Sequence, residues 1–271
     1  MNTLNKTAKK SSSWSYAEKG FEEILLDLRS NTPEMTSQAG LINESSGKMV
    51  WHLVRKNSSN HEYDFAYKIN PPKTPWRYVF KHSLAVREAV NYMMFEELDI
   101  PVAHVLAVGD IRKFFMLKSS FIATSYISDS LDGRKFMPGG EMRFEIALRK
   151  EYTLKHFALL AKIHDNMIFH KAFHPRNLLW RQNNGNMEVF WIDVARCRKT
   201  NASAMKRAVL VDIHTFFRDM QPTENELKEA VVFYLSCRKN GGYPGGAECL
   251  LKDLYAFKRR LFSKKRYKIC E

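Results

Sequence analysis

The chain has 271 residues, 45% hydrophobic and 27% charged, enough for one large domain or two lobes with a real core. Lysine and arginine outnumber aspartate and glutamate 43 to 29, a formal net charge of +14 that draws nucleotide phosphates, nucleic acid and anionic membranes. The composition excludes a coiled coil and a disordered tail, and no apolar run reaches the length of a transmembrane helix. The basic N-terminus has no apolar stretch after it, so a secretory signal is not expected and the chain reads as cytoplasmic. Four cysteines, at 197, 237, 249 and 270, form no CxxC pair, which favours reduced thiols over a zinc site or a redox motif.

Residues 1–37 read as an N-terminal extension: a polar, Ser-rich start, then a short amphipathic helix over Tyr16–Asn31. "AGLINES" and "MVWHLVRK" flank "SSGK", a hairpin turn whose one glycine is Gly47. "EYDFAYKI" follows as a third strand, with Lys68 interrupting its apolar character. After the break at "PPKTPW", apolar residues recur at helical spacing through Ala85–Asp99, a helix that carries Glu88. "IPVAHVLAVG" and "FFMLKSSFIATSYI" return to strand composition, so 38–130 is expected to be a β-rich lobe.

The loop "GRKFMPGGE" leads into a predicted helix from Glu141 to His164. "IFHKAFHPRNLLW" comes next, then the strand "MEVFWIDVARCR", in which Asp193 closes an apolar run. Residues 203–271 are mostly helical, so 131–271 reads as a helical lobe ending in a basic tract. The fold class is α+β, a mainly antiparallel β lobe followed by a mainly α lobe.

Handling a nucleotide phosphate needs a cation near the phosphates, an acid that holds that cation in place, and oxygen ligands for Mg²⁺. Lys68 and Glu88 could supply the first two if the helix packs on the strand; the plainer alternative is two solvated surface charges. Asn177 and Asp193 could supply the oxygens; the plainer alternative for Asp193 is a strand-ending turn.

The segment from His170 to Asn177, "HKAFHPRN", resembles the catalytic loop of protein-kinase-like enzymes, H-x-D-x-x-x-x-N. "IDV" around Asp193 resembles their metal-binding D-F-G, "FAYK" their lysine strand, and Glu88 the glutamate of the paired helix. Within that superfamily the chain is most similar to the bacterial lipopolysaccharide core kinases, the Kdo and core heptose kinases. "VREAVNYMMFEELDIPVAHVLAVG", "FHKAFHPRNLLW", "VFWIDVARCR" and "KRAVLVDIHTFFRDM" carry the likeness in order, over roughly residues 40 to 235. The resemblance implies a bilobal protein-kinase-like fold, ATP and Mg²⁺ as cofactors, and a lipid-linked or phosphorylated sugar as acceptor. It implies that Lys68 contacts the α- and β-phosphates, that Glu88 orients it, and that Gly47 lies in the turn over the nucleotide. Asn177 and Asp193 would hold Mg²⁺, with Asp193 nearest the transferred phosphate. His170 would brace the loop, and Phe173 would pack beneath it.

The sequence departs from the pattern at Ala172, where the family places the aspartate that accepts the substrate's proton. A methyl group accepts no proton, and losing a general base costs about 10²–10⁴-fold in rate. His174, two residues on, is a candidate replacement, against the alternative that it caps the loop or faces solvent. The glycine-rich cover of the family is also reduced to Gly47.

"FKRRLFSKKRYK", from Phe257, interleaves basic and aromatic residues and suits peripheral contact with an anionic membrane surface. Its plainer reading is a solvated helix face. Nucleic acid is a weaker partner, since no zinc-finger spacing or RNP-like segment is present. Two functions follow from the sequence. One is a sugar-directed kinase with an altered base; the other is a pseudokinase that binds nucleotide or scaffolds envelope assembly.

Overall fold

The structure is a computed structural model, and it describes residues 16–30, 40–45, 48–72, 74–79, 81–240 and 242–264. The chain divides into two compact units, Met1–Ser128 and Asp129–Glu271. Gly47 and residues 265–271 lie outside the described residues, as do the side chains from Lys258 onward, so the expectations for the glycine turn and the basic tract are not addressed by the fold.

The first unit is built on a six-stranded antiparallel sheet. Its strands are β1 (Tyr16–Ala17), β2 (Gly40–Ser45), β3 (Lys48–Lys56), β4 (Glu62–Asn70), β5 (Val105–Lys113) and β6 (Met116–Ser125), in the spatial order β1-β5-β6-β4-β3-β2. Helix α1 (Glu22–Ser30) and the residue before it present Phe21, Ile24, Leu25 and Leu28, at helical spacing, to Trp51, Leu53, Phe65, Tyr67 and Phe121 of the sheet. Burying each such side chain is worth about 1.5–3 kcal/mol. Residues 16–30 are therefore part of this unit's core. The helix expected over Tyr16–Asn31 starts only at Glu22, because Tyr16 and Ala17 pair with Val108 and Ala107 as an edge strand.

Helix α2 (Leu84–Glu97) starts at Ser83, whose hydroxyl accepts from the Val86 amide, and buries Ala85, Val86, Glu88, Ala89, Tyr92 and Phe95. It packs against β5 and β6. Phe114 and Phe115, read from sequence as the start of a strand, instead form the two-residue turn between β5 and β6. Both residues have positive φ, +49° and +64°.

The second unit contains β7 (Leu131–Asp132), α3 (Ile146–Asp165), β8 (Ile168–Phe169), β9 (Leu178–Asn183), β10 (Asn186–Trp191), β11 (Arg198–Lys199), α4 (Ala202–Met220), α5 (Glu224–Cys237) and α6 (Gly246–Lys264). Helix α3 starts five residues later than expected, since Glu141–Glu145 are taken up by turns. Its core is aromatic: Tyr152, Phe157, Phe173, Trp191, Phe216 and Tyr234 are all fully buried. Among the described residues, no helix is long and apolar enough to cross a membrane.

Candidate active site

In the first unit, strand alternation decides where Lys68 points. Phe65 and Tyr67 face α1 and the core, so Lys68 projects from the opposite face. There its ammonium meets both oxygens of Glu88, Nζ to Oε1 at 3.0 Å and to Oε2 at 2.9 Å. Glu88 is buried and Lys68 largely so. Fixing two charges out of water is costly unless geometry is good, and a two-oxygen contact meets that condition.

In the second unit, the segment from His170 to Asn177 is held from three sides. Asp212 of α4 is fully buried and spends its carboxylate on the backbone: it accepts from the His170 amide at 2.9 Å and the Lys171 amide at 2.8 Å. It also meets His164 Nε2 at 3.2 Å. The Tyr152 hydroxyl lies 3.2 Å from the Pro175 carbonyl and 3.1 Å from that of Leu178. Phe173 packs beneath, with ring contacts to His170, Trp191 and Phe216. Lys171 adopts a positive φ of +64°, a conformation the two bonds to Asp212 hold in place.

His170 is buried, and its Nδ1 lies 3.3 Å from the Ala172 amide as an acceptor. Burial pushes its pKa down to about 4, although the Asp212 and Asp193 carboxylates pull the other way. The imidazole is therefore neutral at pH 7 and braces the loop. His156, bonded through Nδ1 to the Trp191 indole at 2.9 Å, is pushed by burial to about 3.

Hairpin register brings Asn177 and Asp193 together. Leu178 opposes Trp191 in the β9–β10 ladder, and the next amide, Ile192, donates to the Asn177 carbonyl at 2.9 Å. Asp193 follows directly, in a left-handed conformation with φ +53°. The Asn177 side-chain nitrogen donates to the Ala172 carbonyl at 3.0 Å, which leaves its amide oxygen as the group to offer a cation. Among the described residues, no cluster of three histidine, cysteine, aspartate or glutamate side chains could hold a metal. An amide oxygen and one carboxylate suit Mg²⁺, which takes few protein ligands and completes its shell with phosphate and water.

Ala172 is 5% exposed and puts a methyl group where the sequence resemblance leads one to expect a carboxylate. Two residues on, the His174 ring pairs with Asp219 on α4, Nδ1 to Oδ2 at 2.8 Å. Asp219 also accepts from Arg218 Nε at 2.7 Å on its other oxygen. Burial pulls the Asp219 carboxyl up, but the hydrogen bonds from His174 and Arg218 and their charges outweigh it and hold it at about 2. Arg218 Nη2 lies 3.3 Å from the same Nδ1; a proton carried on Nδ1 toward the closer Asp219 carboxylate would leave Nε2 as an acceptor.

Lys68 and Glu88 are thus paired in the first unit, and Asn177, Asp193 and His174 stand on one loop-and-hairpin system in the second. Sequence reading missed Asp219, Asp212 and Tyr152. The available signal for the first two was the spacing Asp212, Phe216, Asp219 on a helix, which puts all three on one face.

A family model described as Lipopolysaccharide kinase (Kdo/WaaP) family matches residues 52–234. The chain belongs to this family. The lipopolysaccharide kinase family places it among kinases of lipopolysaccharide biosynthesis, with ATP the implied phosphoryl donor. Among solved structures, one described as "WaaP in complex with acyl carrier protein" is similar with a TM-score of 0.59, over 92% of this chain and 98% of that one, at 14% identity. The fold is accordingly kinase-like and α+β. No curated protein matches the chain.

Proposed function

We propose that this member of the lipopolysaccharide kinase family is an ATP- and Mg²⁺-dependent phosphotransferase acting on a core sugar, Kdo or heptose, at the inner face of the cell membrane. His174 takes the proton-accepting role that Ala172 cannot fill. The observation that carries this is the His174–Asp219 bond of 2.8 Å, two residues from the missing carboxylate on a loop otherwise fully braced. Asp219 is the positioning residue: it fixes the ring and its tautomer and would stabilise the imidazolium formed when Nε2 takes the acceptor hydroxyl's proton.

Lys68, held by Glu88, would bind nucleotide phosphates, and the Asn177 amide oxygen and Asp193 carboxylate would hold Mg²⁺. Bound Mg²⁺ supplies positive charge to the phosphate oxygens, and ATP supplies the phosphoryl group. A second reading, a nucleotide-binding pseudokinase, is favoured by Ala172 itself.

Transfer of labelled phosphate from ATP to Kdo- or heptose-bearing core acceptors separates the two. The kinase reading expects turnover that falls about 10²–10⁴-fold in His174→Ala. Asp219→Asn should lower kcat and change its pH profile while leaving KM for ATP unmoved. Ala172→Asp placed in the His174→Ala background should restore rate. ATP binding without turnover in every variant would support the pseudokinase instead.

A further inference from the structure

The β5–β6 hairpin ends on Phe114 and Phe115, whose side chains are 80% and 83% exposed. Lys113 and Met116 pair across the ladder on either side, so the two phenylalanines are the whole turn. Positive φ at both central residues is the pattern of a type I′ turn, where Asn-Gly is the favoured occupant. Phenylalanine is unfavourable there twice over. Its Cβ is strained in the left-handed region, and its ring lies in water. Folding alone gains nothing from this choice.

The tip is also braced. Arg112 Nη1 donates to the Phe115 carbonyl at 3.1 Å and to the Tyr78 carbonyl at 2.8 Å, while its Nη2 meets Asp110 at 2.9 Å. One guanidinium therefore ties the turn to the segment Pro75–Tyr78, where Trp76 is 72% exposed. A basic side chain stands at the tip, and two more are exposed on segments next to it. Lys113 Nζ sits 5.8 Å from the centre of the Phe114 ring, and Lys81 and Lys118 are exposed nearby in chain and ladder.

We propose that the Phe114–Phe115 tip is a membrane-docking wedge that enters an anionic phospholipid surface, with Lys81, Lys113 and Lys118 against the headgroups. Aromatic rings partition into the bilayer interface, and lysines beside it gain from the negative leaflet. A protein partner fits less well: lysine is depleted from protein interfaces, and a two-residue protrusion presents little of the area a stable interface needs. The proposal does not rest on the catalytic reading and is tested without turnover.

The test is co-sedimentation of the full chain with phosphatidylglycerol–phosphatidylethanolamine vesicles and with phosphatidylcholine vesicles. Wild type should bind the anionic vesicles more tightly. The double variant Phe114→Asn, Phe115→Gly should lose about tenfold or more of that affinity while melting at a higher temperature, because it supplies the residues the turn prefers. Phe114→Trp with Phe115→Trp should keep binding and show a blue-shifted emission on the vesicles. Phe144→Ser, an equally exposed ring in the other unit at 84%, should bind like wild type. Equal binding by wild type and the Asn-Gly variant would overturn the proposal. So would failure of wild type to bind anionic vesicles, which would leave the tip as a surface for a protein.

Discussion

Helix α4 meets the loop after β8 at two places that use a carboxylate in opposite ways. Asp212 is fully buried and spends both oxygens on the His170 and Lys171 backbone. Asp219, two turns later on the same face, is partly exposed and spends its oxygens on the side chains of His174 and Arg218. Between them Phe216 stacks on Phe173 at 5.5 Å. One helix face thus sets the loop's shape at one end and orients the His174 ring at the other. In this loop, backbone shape and side-chain placement rest on two separate carboxylates. At position 172 a buried methyl group stands in a loop whose shape these contacts hold.

The largest effect expected from breaking this contrast is in Asp212→Ala. It strands two backbone amides and the His164 ring in the core, so unfolding in urea should show a loss of about 4 kcal/mol. Asp219→Ala should cost about 1 kcal/mol or less, its partners being free to find water. Equal losses would erase the distinction.

The ion pair of the first unit serves as a reference for a buried carboxylate that holds a side chain. Glu88→Ala should cost about 3 kcal/mol by removing the carboxylate that meets the Lys68 ammonium with both oxygens, and Lys68→Met with Glu88→Leu should recover much of it. A chemical denaturation series on the three proteins checks both.

The pH dependence is a smaller effect. His156, His164 and His170 all lie in the second unit's core with pKa values lowered by burial, to about 3 for His156 and about 4 for His170. The unfolded chain takes up protons there near pH 6.5 that the folded chain refuses, so stability falls as pH drops from about 6.5 toward 4. Asp219 behaves differently. Its lowered pKa adds stability that is present above about pH 4 and is lost only as pH falls toward 2. Thermal melts should show wild type losing, as pH falls from about 4 toward 2, stability that Asp219→Asn does not have to lose.

Much of this was legible in the sequence where the pattern was local. Lys68 could be placed because a period of two puts it opposite Phe65 and Tyr67, and Glu88 because it sits early in a clear helix. Asn177 and Asp193 could be linked because each flanks a short apolar strand, and antiparallel pairing joins the ends. What escaped was non-local or fought its own propensity. Asp219 lies 45 residues from His174, and only packing of α4 brings them together. Phe114 and Phe115 have strong strand preference yet sit in a turn, held by Arg112 rather than by their own chemistry. Tyr16 and Ala17 read as helix because α1 follows them, but an open edge at β5 captured them first.

The most direct measurement is calorimetric binding of ATP with and without Mg²⁺ to wild type, Asp193→Ala and His174→Ala. Wild type should bind ATP in a Mg²⁺-dependent way, Asp193→Ala at least about tenfold more weakly, and His174→Ala with wild-type affinity, its loss being expected in turnover. Absence of binding in wild type, or binding that Asp193→Ala leaves untouched, would contradict it.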